Sequence, residues 1–126
     1  MKREWLGFCL LLLLLTLGLL ASRRMTRTYD AIADTLDKAG TLALAEDWEG
    51  ADRLIRKVRG HWEGSWHFTA ALADHEPMEE IDSQLALLKV YQQQRDALAF
   101  AALCSQVASQ MEDIGDAQAL NWWNLL

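Results

Sequence analysis

The strongest constraint on the fold is an uncharged apolar stretch, WLGFCLLLLLLTLGLLA, from Trp5 to Ala21. As an α-helix this stretch is about 25 Å long, at the short end of what crosses the hydrocarbon core of a bilayer. A secretory signal peptide is the alternative, because a charged start and an apolar run also suit one. A cleavage site before Ser22 would place Leu19 and Ala21 at positions −3 and −1, which matches the cleavage pattern poorly. We therefore expect an uncleaved membrane anchor.

Basic residues lie on both sides of this stretch, which leaves its orientation weakly determined. They are Lys2, Arg3, Arg23, Arg24 and Arg27. Positive charge marks the cytoplasmic side of a span, and here the two flanks nearly cancel. The very short N-terminal tail is typical of a signal anchor, so we expect the C-terminal domain to be extracytoplasmic. The predicted division is an anchor at 1–24 and an acidic helical domain at 25–126.

The charge balance beyond the anchor is acidic and narrows the choice of partners. The formal net charge of the whole chain is −6, although basic residues surround the span. A nucleic-acid-binding surface would need a basic face, so none is expected. The acidic charge also disfavours adhesion to anionic lipid beyond the arginine collar. Cys9 lies in the span and Cys104 in the soluble part, so neither a disulfide nor a zinc-binding spacing is expected.

The remainder of the chain is predicted to be helical throughout. Period-two alternation is absent, and Pro77 is the only proline. Four apolar stripes contain Tyr29, Ile32, Leu36, Ala39 and Ala43; Trp48, Ala51, Ile55, Val58, Trp62 and Trp66; Met78, Ile81, Leu85 and Leu88; and Phe100, Leu103, Cys104, Val107, Met111 and Ile114. Polar turns at 45–51 and 93–99 would form two helical hairpins. The predicted fold is all-α, with one N-terminal transmembrane helix followed by an antiparallel bundle of about four helices.

The segment RGHWEGSWH places tryptophans and glycines at helical spacing. Trp48, Trp62 and Trp66 fall on the apolar stripe and are candidate core anchors. Gly60 and Gly64 fall on the polar side, where each costs about 1 kcal/mol relative to alanine. Either the helix bends near these glycines or a second partner packs on that face.

Two further glycines and the C-terminal tail give weaker expectations. Gly40 is a weak point near the end of the first helix, and Gly115 is a natural terminator of the fourth. The apolar tail ALNWWNLL would then plug the end of the bundle or lie in a membrane interface, where tryptophan is favoured. The plug is the preferred interpretation, because a small bundle needs apolar cover.

The densest polar cluster is DHEPMEEID, at residues 74–82. Its candidate cation or interaction residues are Asp74, His75, Glu76, Glu79, Glu80 and Asp82. Calcium and magnesium prefer oxygen ligands, but the segment lacks the glycine and the spacing of an EF-hand. A solvated helix start, in which acidic residues complement the helix dipole, accounts for the same composition. We therefore predict no metal ion or cofactor.

Patterns that indicate catalysis are missing from the sequence. There is no HExxH motif and no glycine-rich phosphate loop. Cys104 lies in an apolar stripe, which disfavours a reactive thiolate. The sequence therefore predicts a protein that is not an enzyme.

Several short motifs together resemble a known family. After the anchor come Asp47-Trp48, Trp62, Asp74-His75, Glu80-Ile81-Asp82, Leu88-Lys89-x-Tyr91 and the ending Asn124-Leu125-Leu126. This order is similar to that of domain of unknown function 4363, a family of small proteins of spore-forming bacteria. Gly60 and Gly64 depart from the charged helix formers expected in such a protein. The resemblance implies a membrane-tethered helical domain with a role in sporulation or envelope assembly, and supplies no catalytic residue.

These observations favour a membrane-tethered interaction or scaffold module at the cell envelope. Its partners would be the bilayer, through residues 5–21, and an unidentified protein. The alternative function is a cation- or ligand-responsive extracytoplasmic sensor that uses the acidic cluster at 74–82.

Overall fold

The computed structural model describes the backbone of residues 2–70 and 75–125, and the side chains of residues 2–24, 26–64 and 78–117. The described chain forms four α-helices and no strand: α1 (Lys2–Leu44), α2 (Trp48–Ala70), α3 (His75–Gln94) and α4 (Ala97–Leu125). Helix α1 packs against α2 and α4, and α3 packs against α4 and α2. The predicted all-α class and the four-helix bundle are confirmed.

Helix α1 is one continuous rod with two different halves. It passes residues 24 and 25 without a break, because neither glycine nor proline interrupts the sequence there. In the first half, the large apolar side chains are exposed, from Trp5 at 71% to Leu19 at 41%. By length and composition, this half is apolar enough to cross a membrane. In the second half, one face is buried in the bundle, including Ile32 and Leu36.

The buried face of α1 reaches into the apolar stretch. Gly18 and Ser22 are buried although their neighbours Leu19 and Leu20 are exposed. Both residues lie on the line that continues through Tyr29, at spacings of four and seven residues. The packed surface therefore begins before the predicted domain boundary at residue 24.

The chain reverses direction at residues 45–47, in the turn between α1 and α2. Glu46 takes a left-handed backbone conformation (φ 64°). The Asp47 N–H donates to the Leu42 carbonyl (2.9 Å), and the Glu46 N–H donates to the Ala43 carbonyl (3.0 Å). This is a Schellman motif, which satisfies the last carbonyls of α1. The Asp47 side chain then accepts a hydrogen bond from the Gly50 N–H (3.0 Å), which caps α2.

The turn between α3 and α4 repeats this arrangement with other residues. Arg95 takes the left-handed conformation (φ 54°), and the Asp96 N–H donates to the Tyr91 carbonyl (3.2 Å). The Asp96 carboxylate caps α4 by accepting from the Ala99 N–H (3.3 Å). Both turns lie at the same end of the bundle, which we call the turn end. The two predicted hairpins are confirmed, and they share one turn chemistry.

The buried positions recur at alternating spacings of three and four residues in every helix. On α4 these positions include Phe100, Cys104, Val107 and Met111, and the stripes of the other three helices follow the same rule. A mean spacing of 3.5 residues is that of knobs-into-holes packing, in which helices cross at shallow angles. The core therefore runs as one layered apolar seam along the bundle.

Small residues bring α1 and α4 into close contact. A Cβ atom added at Gly40 would lie 3.3 Å from the Ala101 Cα atom, and one at Gly115 would lie 2.9 Å from the Tyr29 Cβ atom. Two expectations were therefore wrong. Gly40 is a buried packing position rather than a weak point. Helix α4 does not end at Gly115 but continues to Leu125, and glycine suits position 115 because a bulkier residue would clash with Tyr29. The predicted tail plug concerns side chains outside the described residues.

Gly60 and Gly64 lie on an open face of α2. Both are exposed, and an added Cβ atom would meet no described atom within 4 Å. The helix continues through both positions to Ala70. Leu87 and Val90, on α3, are likewise exposed at 41% and 44%. Within the described residues, no partner covers either surface.

Replacing glycine by alanine should change the free energy of unfolding in opposite directions at two positions. Gly115→Ala should lower the free energy of unfolding by about 1–3 kcal/mol, because the new Cβ atom overpacks against Tyr29. Gly64→Ala should raise it by up to about 1 kcal/mol, because the helix gains propensity without a clash. Urea unfolding followed by circular dichroism checks both variants. Equal shifts in one direction would contradict the α1–α4 geometry.

Candidate functional site

The three tryptophans proposed as core anchors have different environments. Trp62 is 2% exposed, and its indole N–H donates to the Asp82 carboxylate of α3 over 2.6 Å. Trp48 is partly buried, and its ring meets the Phe100 ring edge-on, with 5.3 Å between the ring centroids. The Trp66 side chain lies outside the described residues. Trp62 thus joins the core to the surface contact between α2 and α3.

Polar bridges hold α2 and α3 together along their length. The Arg59 guanidinium donates to the Leu85 carbonyl (2.9 Å), one turn of α2 away from the Trp62–Asp82 hydrogen bond. Towards the turn end, Asp52 accepts from the Gln92 amide (2.9 Å). These long side chains span a wider separation than the glycine and alanine contacts between α1 and α4.

Arg95 ties the two turns together. Its guanidinium lies 3.1 Å from the Asp52 carboxylate and 5.0 Å from the centre of the Trp48 ring. The side chain is half-exposed, so the ion pair and the cation–π contact each contribute roughly 1 kcal/mol or less. At this left-handed turn position, the Arg95 side chain therefore makes contacts that a glycine could not make.

The described part of the acidic cluster is dispersed over the surface. Glu79, Glu80 and Asp82 are exposed. Asp82 is engaged by Trp62, and Glu80 accepts from the Gln110 amide (3.4 Å). Among the described residues, no three His, Cys, Asp or Glu side chains lie close enough to hold a metal ion. Asp74, His75 and Glu76 have side chains outside the described residues, so the absence of a metal ion stays a prediction and the cation-responsive cluster stays its alternative.

A groove of about 290 Å³ lies between α2 and α3 near the turn end. It is lined by Arg56, Arg59, Lys89 and Arg95, together with Asp52. Two of these cations are already engaged, Arg59 with the Leu85 carbonyl and Arg95 with Asp52. The buried Nε atom of Arg59 has no hydrogen-bond partner among the described residues. The charged side chains of this groove are mostly basic, but two of these cations already form contacts that join neighbouring helices.

A larger groove of about 500 Å³ lies between α1 and α2, next to the apolar half of α1, and we call it the collar groove. Its floor contains apolar side chains, including Ile32 and Val58. Its basic side chains are Arg24, Arg27, Lys57 and His61. Among the residues whose side chains are described, no acidic residue lines it, although the net charge of the chain is −6.

Cys104 is the most strongly perturbed ionisable group among the described residues. Burial, with a smaller contribution from the Asp37 carboxylate, raises the pKa of the Cys104 thiol to about 12. The thiol is therefore protonated at neutral pH and packs as a small apolar group against α1 next to Gly40.

The fold and its surfaces define a class of protein: a small four-helix bundle whose first helix extends beyond the bundle as an apolar rod. A family model for the domain of unknown function DUF4363 matches residues 19–125. This chain belongs to that family. No curated protein and no solved structure matches it significantly. The match begins within the apolar stretch, close to the point where the buried face of α1 begins.

The collar groove was missed by sequence reasoning, which recognised only its arginines. Arg24 and Arg27 stand about 30 residues before Lys57 and His61, and no local motif connects them. The available signal was indirect. Once α1 and α2 are taken as an antiparallel hairpin with a turn at 45–47, Lys57 and His61 lie opposite the middle of α1, roughly one to three helical turns further from the apolar stretch than Arg27 and Arg24.

Truncating the buried tryptophan should unfold much of the bundle. Trp62→Ala should lower the free energy of unfolding by about 3–5 kcal/mol, because it leaves a cavity between α2 and α3. Leu98→Ala is the control, since Leu98 is 78% exposed on α4. Chemical unfolding of both variants in mild detergent checks the difference. Wild-type stability of Trp62→Ala would place the indole on the surface.

Proposed function

We propose that this chain is a membrane-tethered helical interaction module of the cell envelope, which acts by binding rather than by catalysis. The observation that carries the proposal is the division of α1 into an uncovered apolar half and a half embedded in the core. A water-exposed apolar surface of this length is unfavourable unless lipid covers it. The tether and the bundle would therefore move as one body.

The buried face of α1 supports an uncleaved anchor over a signal peptide. Gly18 and Ser22 are buried on the face that continues into the core at Tyr29. Cleavage before Ser22 would remove the first of these packed positions.

A binding role is supported by the surfaces that the bundle leaves uncovered. Leu87, Val90 and Leu98 are exposed aliphatic side chains, and the glycine face of α2 admits close approach. The raised pKa of Cys104 also weighs against use of its thiol as a nucleophile. We propose the extracytoplasmic side for the bundle, and a role in sporulation or envelope assembly as the sequence resemblance implies.

Charged substitutions in the apolar half of α1 test the anchor. Leu12→Arg with Leu13→Arg should move the full-length chain from the membrane pellet to the supernatant, since each central arginine costs roughly 2.5–3.5 kcal/mol of insertion free energy. The matched control is Leu87→Arg with Leu98→Arg, which places the same two charges on exposed bundle positions. Alkaline extraction followed by vesicle flotation gives the readout.

Two results would contradict this function. A wild-type chain that remains in the supernatant has no anchor, and a control pair that leaves the membrane shows that the bundle surface carries the attachment. Protease added to intact spheroplasts also tests the side, because it should digest the bundle if the domain is extracytoplasmic.

A further inference from the structure

We propose that the last turns of α4 form a second membrane contact, in which Trp122 and Trp123 lie at the lipid–water interface beside α1. This inference rests on the proposed anchor, because the anchor fixes the level of the bilayer along α1. It adds an interaction surface on a different helix, whose partner is the interfacial layer of the bilayer. The backbone of α4 is helical as far as Leu125, so both tryptophans belong to the helix.

Two close contacts fix the register between α1 and α4. An added Cβ atom at Gly115 would lie 2.9 Å from the Tyr29 Cβ atom, and one at Gly40 would lie 3.4 Å from the Cys104 Cβ atom. The two contacts are separated by eleven residues on each helix. The helices therefore run antiparallel and in step, residue for residue.

This register brings the tryptophans to the end of the apolar stretch. Trp122 lies seven residues beyond Gly115 on α4, so it stands opposite Ser22, seven residues back along α1. Trp123 then stands opposite Ala21, the last residue of the apolar stretch. Ser22 is only 8% exposed, which agrees with a neighbouring helix beside α1 at this level.

The charge pattern of α4 changes close to the depth at which lipid begins. Asp116 is the last charged residue, and it is followed by AQALNWWNLL at residues 117–126. In the same register, Asp116 stands opposite Thr28, about 10 Å above Ala21. The headgroup region extends roughly 5–8 Å beyond the hydrocarbon core. The charged part of α4 therefore stays outside the headgroup layer, and the uncharged part enters it.

The apolar stretch has no aromatic residue of its own at this end. Trp5, at 71% exposure, marks the N-terminal end, but no aromatic residue occurs between Phe8 and Tyr29, and Tyr29 is buried in the core. Tryptophan is enriched at both interfaces of a membrane, because its amphipathic ring suits the headgroup level. Trp122 and Trp123 supply these aromatic residues from α4.

Fluorescence quenching by brominated phosphatidylcholine tests the contact in vesicles that hold the full chain. The tail emission is the difference between the wild type and the double variant Trp122→Phe with Trp123→Phe. It should fall strongly when bromine lies near the headgroup end of the acyl chains, fall less when bromine lies near their far end, and persist when iodide is added to the water. Circular dichroism should show unchanged helix content, and the two single variants give the same readout if the pair loses helix.

Trp48→Phe is the matched control, because Trp48 begins α2 at the turn end, about 35 Å from the apolar stretch. The emission that this substitution removes should be insensitive to bromine at either depth. Quenching of the tail emission by iodide alone would place the tail in water. Resistance to both quenchers would make it a dry plug of the bundle, and either result would overturn the second contact.

Trp5→Phe separates this inference from the proposed anchor. The emission of Trp5 should be quenched by bromine near the headgroups, because Trp5 lies at the other end of the span. Quenching of Trp5 without quenching of the tail refutes the second contact alone. If neither emission is quenched and the chain does not float with the vesicles, the anchor itself is refuted.

Discussion

The close contact between α1 and α4 is the interaction on which the rest of the structure depends. Gly40 and Gly115 let two backbones approach to distances that a larger side chain would prevent, and Cys104 and Tyr29 fill the remaining space. Dispersion contacts are individually weak, but a seam of this length collects many of them. Because α1 also carries the apolar extension, this seam fixes the extension to the core.

Different interactions hold the opposite side of the bundle together. Helices α2 and α3 are joined by long polar side chains, such as Arg59 and Trp62, whose hydrogen bonds cross a wider gap. Each such bond contributes about 1 kcal/mol net, and more when one partner is charged. Polar bridges leave room for grooves that an apolar seam would close. The bundle thus combines a tight side for stability with looser sides where ligands can approach.

Much of the fold was predictable because helical periodicity is local. The stripe from Tyr29 to Ala43 and the cap at Asp47 follow from spacing and residue type alone. The roles of Gly40 and Gly115 were not predictable in this way, because a glycine inside a helix weakens it unless another backbone lies against it. Only the partner helix reveals which case applies. Gly60 and Gly64, which face open space, show the other outcome.

The candidate site was harder to predict than the fold. The acidic cluster at 74–82 drew attention because its charges are adjacent in sequence, whereas the basic groove is assembled from two helices. Lys57 and His61 come to line the same groove as Arg24 and Arg27 only when the turn at 45–47 reverses the chain. Charge counting likewise describes only the average surface. Among the described residues, the collar groove is lined by basic and uncharged side chains although the chain as a whole is acidic.

The most direct test of this account measures whether the apolar extension and the core share one rigid helix. Spin labels at Leu13 and Lys38, both exposed on α1, would be placed in a chain whose two cysteines are replaced by alanine. In reconstituted bilayers the account predicts one narrow distance distribution centred at about 38 Å, from about 1.5 Å per residue over the intervening helix. A broad distribution, or a clearly shorter mean distance, would show a hinge between the extension and the bundle and would contradict the account.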